Sequence, residues 1–205
     1  FSTVFEYKND FYYKPKRKFK PKVSLVVPCY NEEGNISKTL QSILYLDYPK
    51  ENIEIIVIDD GSTDNTLRES LEFAKRDNRI KVFHKENGGK YTALNLGIEK
   101  ATHPYLGTID ADSYLHKESL RKIMEQFEDQ KNMAVISSVR IANPKTILEG
   151  VQYVEYLMGN FLKKVFSFLN GINDVPGPLS VFNKKVFDKI GVYKSVDIVC
   201  NRLYT

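Results

Sequence analysis

Apolar positions fall into short continuous runs that alternate with longer, helically spaced stretches. Val23-Ser24-Leu25-Val26-Val27 is a β-branched run closed by Pro28, and Ile53 to Ile58 is a second, interrupted only by Glu54. Runs of this kind read as strands buried on both faces. Between them Ile36, Leu40, Ile43, Leu44 and Leu46 recur at helical spacing, with Asn35 or Asn31 as candidate caps and Tyr48-Pro49 as the stop. The alternation continues with a helix from about Thr63 to Arg76, opened by Ser62, Thr63 or Asp64, and a strand from Ile80 to Phe83. A helix from Lys90 to Lys100, a strand from Tyr105 to Ile109, a helix from about Lys117 to Asp129 and a strand from Met133 to Ser138 follow. Parallel neighbours need crossover helices, so the pattern predicts an α/β fold with a mostly parallel central sheet covered on both faces.

From Lys145 to Asn170 the chain becomes rich in Leu, Phe, Tyr and Val, broken by Glu149, Glu155, Lys163 and Lys164. One or two amphipathic helices are predicted. A core helix is the simpler reading; a face lying on a membrane or on a neighbouring segment is the alternative. Pro176-Gly177-Pro178 marks a turn, Leu179 to Phe182 a short strand and Lys184 to Ile190 a short helix.

The 205 residues suit one α/β domain, and 42% hydrophobic with 27% charged residues is the profile of a globular chain. Cys29 and Cys200 match no metal spacing, so free thiols in a reducing compartment are expected and zinc is not. The net charge of +4 is uneven: Lys14, Lys16, Arg17, Lys18, Lys20 and Lys22 cluster among Tyr12, Tyr13 and Phe19. Such an arm can be solvated, meet anionic lipid or meet nucleic acid, in that order of preference. No stretch is long and apolar enough to span a bilayer, and no signal peptide precedes the arm.

Chemistry gathers where strands end. Ligands of parallel sheets bind beyond the carboxyl ends of the strands, and Asn31-Glu32, Asp59-Asp60 and Asp110-Asp112 each follow a predicted strand. Asp110-Ala111-Asp112 can aim two hard oxygen ligands to one side, suiting Mg²⁺ or Mn²⁺, although Asp112 or Ser113 could instead cap the next helix. Asp59-Asp60-Gly61-Ser62 is ordinary turn chemistry, yet two adjacent acids repel unless one is neutralised or hydrogen-bonded, which favours a ligand contact for Asp60. Asn87-Gly88-Gly89-Lys90 opens a helix whose N–H groups and lysine can face phosphates, and a plain loop is the competing reading. It lacks the spacing of a P-loop, and no GxGxxG follows the first strand, which argues against a dinucleotide site. His84, His103 and His116 sit at unrelated spacings and receive no catalytic or ligand role.

Taken in order, four blocks resemble family 2 glycosyltransferases: Val23 to Glu32, Ile56 to Asp64, Asn87-Gly88-Gly89-Lys90 with Ala93-Leu94-Asn95, and Asp110-Ala111-Asp112. The likeness runs from about Lys22 to Tyr193 and is greatest to the processive, membrane-associated synthases of β-linked polysaccharides. It implies a GT-A, Rossmann-like three-layer sandwich, divided here into a basic arm (1–22), a GT-A domain (23–193) and a non-matching tail (194–205). It further implies that Pro28, Tyr30 and Glu32 line a nucleotide pocket and that Asp59 and Asp60 belong to it, with Asp60 on the uracil. Lys90 would lie near the diphosphate or donor sugar, and Asp110 and Asp112 would hold Mg²⁺ or Mn²⁺. The implied reaction is inverting displacement from a UDP-sugar to a saccharide or lipid-linked acceptor, at the cytoplasmic face of the cell membrane and with no nucleic acid. Val175 to Phe182 resembles the stretch that forms the acceptor-side wall. The family's acidic pair holding the base and its Gln-x-x-Arg-Trp motif are not matched; the tail offers only Asp197 and the chain has no tryptophan. The expectation is a truncated chain whose base is unassigned, with a non-catalytic nucleotide-sugar-binding module and a membrane-surface adaptor as the competing readings.

Overall fold

The computed structural model describes residues 19–138, 141, 144–168 and 179–194. The basic cluster from Lys14 to Lys18, the Pro176-Gly177-Pro178 turn, Asp197 and Cys200 lie outside the described residues. The two continuous apolar runs become β1 (Val23–Cys29) and β2 (Ile53–Asp59), buried at every position. They pair in parallel, with Val23 opposite Ile53 and Cys29 opposite Asp59. β3 (Ile80–His84) pairs parallel to β2, and β4 (Tyr105–Thr108) parallel to β1. β5 (Ala134–Ile136) and β6 (Ser180–Asn183) complete the order β3-β2-β1-β4-β6-β5, and β6 runs antiparallel to both of its neighbours.

Side chains alternate across a strand, and the sheet accordingly feeds two cores. On one face Leu25, Val27, Ile55 and Val57 meet Ile36, Leu40 and Ile43 of α1 (Asn35–Leu44) and Leu120, Ile123 and Met124 of α4 (Ser119–Gln126). On the other Val26, Ile56, Ile58 and Leu106 meet Ala93, Leu94 and Ile98 of α3 (Lys90–Lys100) and Phe187 of α6 (Lys185–Ile190). A Cβ at Gly97 would stand 2.2 Å from Val26 Cγ1, so this glycine sets the close approach of α3 to β1. α2 (Thr66–Arg76) lies against α1 and β3.

Glu54, the charged interruption in β2, is 5% exposed and sits at the edge where β1 and β2 begin. Its Oε2 accepts from Ser24 Oγ (2.6 Å), Thr102 N (3.1 Å) and Thr102 Oγ1 (3.0 Å), and its Oε1 from Lys81 Nζ (2.6 Å). Burial works against the charge, but these bonds from Lys81, Ser24 and Thr102 win and hold the carboxyl at about 2.

Three sequence expectations need correction. Neither Asn35 nor Asn31 caps α1: Gly34 occupies the N-cap with φ 77°, and the Asn35 and Ile36 amides both donate to Glu32 O. Asn31 Oδ1 instead accepts from Thr63 N at 2.9 Å. Asp112 and Ser113 cap no helix, because α4 begins only at Ser119. The third concerns α5 (Ile147–Phe168), which is not a core helix. Ile147, Val151, Val154, Met158, Phe161 and Val165 recur at helical spacing as one apolar stripe, and that stripe faces outward, Ile147 being 90% and Met158 62% exposed. Among the described residues no helix is long and apolar enough to cross a membrane.

Candidate functional site

β1, β2 and β4 run parallel, so the loops that follow them share one edge of the sheet. Side chains from the turn before α2 and from its first residue stitch this edge together. Asn31 N donates to Ser62 Oγ (3.0 Å), Glu32 N to Thr66 Oγ1 (2.7 Å) and Glu33 N to Asp64 Oδ2 (3.0 Å). Asp64 Oδ1 also accepts from Thr66 N at 3.0 Å, but α2 begins at Thr66 with Asn65 at its N-cap, so none of Ser62, Thr63 and Asp64 takes the expected cap position.

Between these loops lies a cleft of about 430 Å³, within the range of small-ligand sites. Pro28 lines it from the end of β1, Tyr30 and Glu32 after β1, Asp60 after β2, Asn87, Gly89 and Lys90 at the start of α3, and Asp110 and Asp112 after β4. Tyr30 is 49% exposed and free to stack on a flat ring. Cys29, Ala93 and Ala111 also line the cleft; small or buried residues of this kind carry no signal in a sequence. Burial, then the nearby carboxylates of Asp59, Glu32, Asp64 and Asp60, push the Cys29 thiol up, so it stays protonated and inert.

Adjacent acids at the end of β2 part company. Asp60 Oδ1 accepts from Gly88 N (3.1 Å) and from Lys85 Nζ, and its Oδ2 from Gly89 N (2.9 Å). The carboxylate thereby clamps the loop that leads to Lys90. Asp59 does not reach the cleft: it is fully buried, and its Oδ2 lies 2.6 Å from Nδ1 of His84, its register partner on β3. Successive strand residues point to opposite faces, which is why one acid lines the cleft and the next supports the sheet edge. The His84 pairing is invisible in the sequence, since it depends on strand register.

Lys90 Nζ lies 2.6 Å from Asp110 Oδ1, and Asp112 is exposed beside them. Asp110 and Asp112 line one wall at positions i and i+2. Among the described residues no three His, Cys, Asp or Glu side chains form a metal cage. A pair of carboxylates opening on a cleft fits Mg²⁺ or Mn²⁺ whose coordination is completed by ligand oxygens and water. Gly89 opens α3 at φ 88° without a side-chain cap, leaving the helix N-terminus turned to the same space.

A second cleft, of about 920 Å³, shares Asp112 with the first. Tyr114, His116, Ser119, Lys122, Gln126, Ser137, Ser138 and Leu179 line it. Ser119 Oγ is buried there without a hydrogen-bond partner among the described residues. Of the stretch expected to form the acceptor-side wall, Leu179 lines this cleft.

Residues 24–191 match the profile of glycosyl transferase family 2. The chain belongs to that family. It is 34% identical over 180 residues to poly-beta-1,6-N-acetyl-D-glucosamine synthase of Staphylococcus epidermidis, and equally to that of Staphylococcus aureus strain MSSA476. These alignments cover 86% of this chain and 43% of each relative, so the chain spans less than half their length. Among solved structures, the mannosyltransferase PcManGT from Pyrobaculum calidifontis, in complex with GDP-Man and Mn²⁺, superposes with a TM-score of 0.78 at 23% identity. That match covers 98% of this chain and 55% of PcManGT. S. aureus TarS 1-349 in complex with UDP-GlcNAc gives a TM-score of 0.55 at 29% identity, covering 62% of this chain and 36% of TarS 1-349. The fold is that of the GT-A glycosyltransferases, as the sequence led one to expect.

Proposed function

We propose that this chain is the donor-binding domain of an inverting glycosyltransferase that takes a UDP-sugar with Mg²⁺ or Mn²⁺ and serves polysaccharide synthesis. One observation carries the reading: Pro28, Tyr30, Glu32, Asp60, Lys90, Asp110 and Asp112, scattered over 85 positions from 28 to 112, line a single cleft. Tyr30 offers a stacking surface for the base. Asp60 keeps a lone pair for an N–H of the base edge while holding the 85–89 loop. Lys90 and the N-terminus of α3 receive the diphosphate. Asp110 and Asp112 hold the ion, whose chemistry is to neutralise charge on the departing nucleoside diphosphate.

Asp112 lines both clefts, so the transferred sugar sits beside it and the acceptor, saccharide or lipid-linked, enters through the larger cleft. Membrane association at the cytoplasmic face, through the basic arm and the outward stripe of α5, belongs to the same proposal. A second reading, donor binding without turnover, is favoured by the larger cleft itself: among the described residues no carboxylate besides Asp112 lines it, so no second carboxylate is in place there to serve the acceptor as base.

The test is calorimetric titration of UDP into the purified chain with and without Mn²⁺, against the Asp112→Asn variant. Binding that needs Mn²⁺ and weakens at least about tenfold in the variant is expected. Equal affinity in both proteins would remove the metal role from Asp112. Sugar transfer by the chain alone, measured with UDP-GlcNAc and an oligosaccharide acceptor, would exclude the second reading.

A further inference from the structure

Two carboxylates that line the donor cleft, Asp60 and Asp110, are each paired with a lysine, and the two pairs differ in kind. Lys85 joins two backbone amides on Asp60, so that carboxylate is fixed by its own loop. Asp110 is held by Lys90 alone among the described side chains, at 2.6 Å, with Lys90 37% and Asp110 24% exposed. Asp112 accepts from Ser113 Oγ at 3.4 Å, a weak contact. The donor-free clasp thus carries two negative charges against one resident, tethered ammonium.

We propose that Lys90 is a built-in counter-ion of the metal clasp, which keeps the divalent ion from binding ahead of the donor and couples the two binding events. The inference rests on the metal role given above to Asp110 and Asp112. An ion arriving alone must displace the lysine from Asp110, and the displaced ammonium then remains within the cleft as a repelling like charge. A diphosphate changes both terms. It offers Lys90 a more highly charged partner at the N-terminus of α3, where Lys90 is the first residue. Asp110 is released as Lys90 turns, and the added negative charge favours a divalent ion at the vacated carboxylate. A flexible four-carbon stem with three rotatable donors suits this exchange better than a planar guanidinium would. By linkage, whatever factor the donor adds to metal affinity, the metal adds to donor affinity.

The experiment measures Mn²⁺ binding directly, from the loss of the free-ion electron paramagnetic resonance signal, for the wild type, Lys90→Met and Lys90→Arg, each alone and at saturating UDP. Circular dichroism and melting curves establish that each variant is folded. Without UDP, Lys90→Met binds Mn²⁺ at least about tenfold more tightly than the wild type, because the competing charge is gone. Lys90→Arg, which keeps a cation, stays near wild type. UDP strengthens Mn²⁺ binding in the wild type by a larger factor than in Lys90→Met. A Lys90→Met protein that binds Mn²⁺ alone no better than wild type, while wild type shows UDP-dependent binding, overturns the counter-ion proposal and leaves the metal reading intact. Absence of Mn²⁺ binding by folded wild type at saturating UDP overturns both.

Discussion

Glu54→Gln separates the frame of this domain from its chemistry. The carboxylate accepts four hydrogen bonds, from Ser24, Lys81 and twice from Thr102, at the sheet edge opposite the clefts. Its folded value of about 2 lies below the ordinary value of 4.5. A depressed value means that the stabilisation is fully present above 4.5 and is lost as pH falls toward 2. A gap of about 2.5 units at 1.36 kcal/mol each amounts to about 3 kcal/mol. Glutamine keeps the shape but removes the charge and turns an amide N–H toward donors. The variant should therefore lose about 3 kcal/mol at pH 7, or roughly 6–12 °C in Tm for a chain of this size. The difference should shrink as pH is lowered from 5 to 3, because the wild type loses there what the variant never had. Urea unfolding at a series of pH values, alongside UDP titration at 20 °C, measures both sides. Parallel stability profiles for the two proteins would refute the reasoning, and so would a change in UDP affinity equal to that of a cleft variant.

Asp60→Asn should free the 85–89 loop, because one oxygen replaces the two that take the Gly88 and Gly89 amides. About 1–3 kcal/mol of stability is expected to go, with faster amide exchange at Gly88 and Gly89; unchanged protection there would count against the clamp. Gly97→Ala places a Cβ 2.2 Å from Val26 Cγ1, so α3 must shift from β1 at a cost of about 1–3 kcal/mol, read by thermal melting.

How much of this was legible in the chain differs from element to element. β1 and β2 announce themselves because strands buried on both faces must be apolar throughout, and the loops after parallel strands share an edge whatever the remaining topology. Those two facts are enough to bring Tyr30, Asp60 and Asp110 together. The different fates of Asp59 and Asp60 were not legible, since only the strand's final register decides which acid points into the cleft and sets Asp59 opposite His84. Periodicity marked the apolar stripe of α5 but says nothing of which side meets the domain. The cap of α1 was missed because the first-turn amides are satisfied by a backbone carbonyl, Glu32 O, which leaves no trace in residue type. The insertion of β6 between β4 and β5 is likewise a long-range pairing that no local pattern encodes.

The acids of this sheet differ in how far the protein itself satisfies them and in whether they open on the cleft, and the two together sort structure from chemistry. Glu54 takes four donors and Asp60 three, two of them backbone amides. A carboxylate has about four lone-pair sites, so Glu54 has nothing left for a ligand and Asp60 has room for one contact at most. Asp110 takes a single flexible lysine and Asp112 a single long contact from Ser113. Their unused lone pairs face a cleft rather than a core. Leaving them so costs self-repulsion, which the Lys90 ammonium offsets at Asp110; under the counter-ion proposal a divalent ion would offset it more fully once a diphosphate had drawn Lys90 away. Asp59 takes one contact, from His84, and its Oδ1 has no partner among the described residues, but it is fully buried; on the proposed reading it is Asp110 and Asp112, which open on the cleft, that would meet a metal ion.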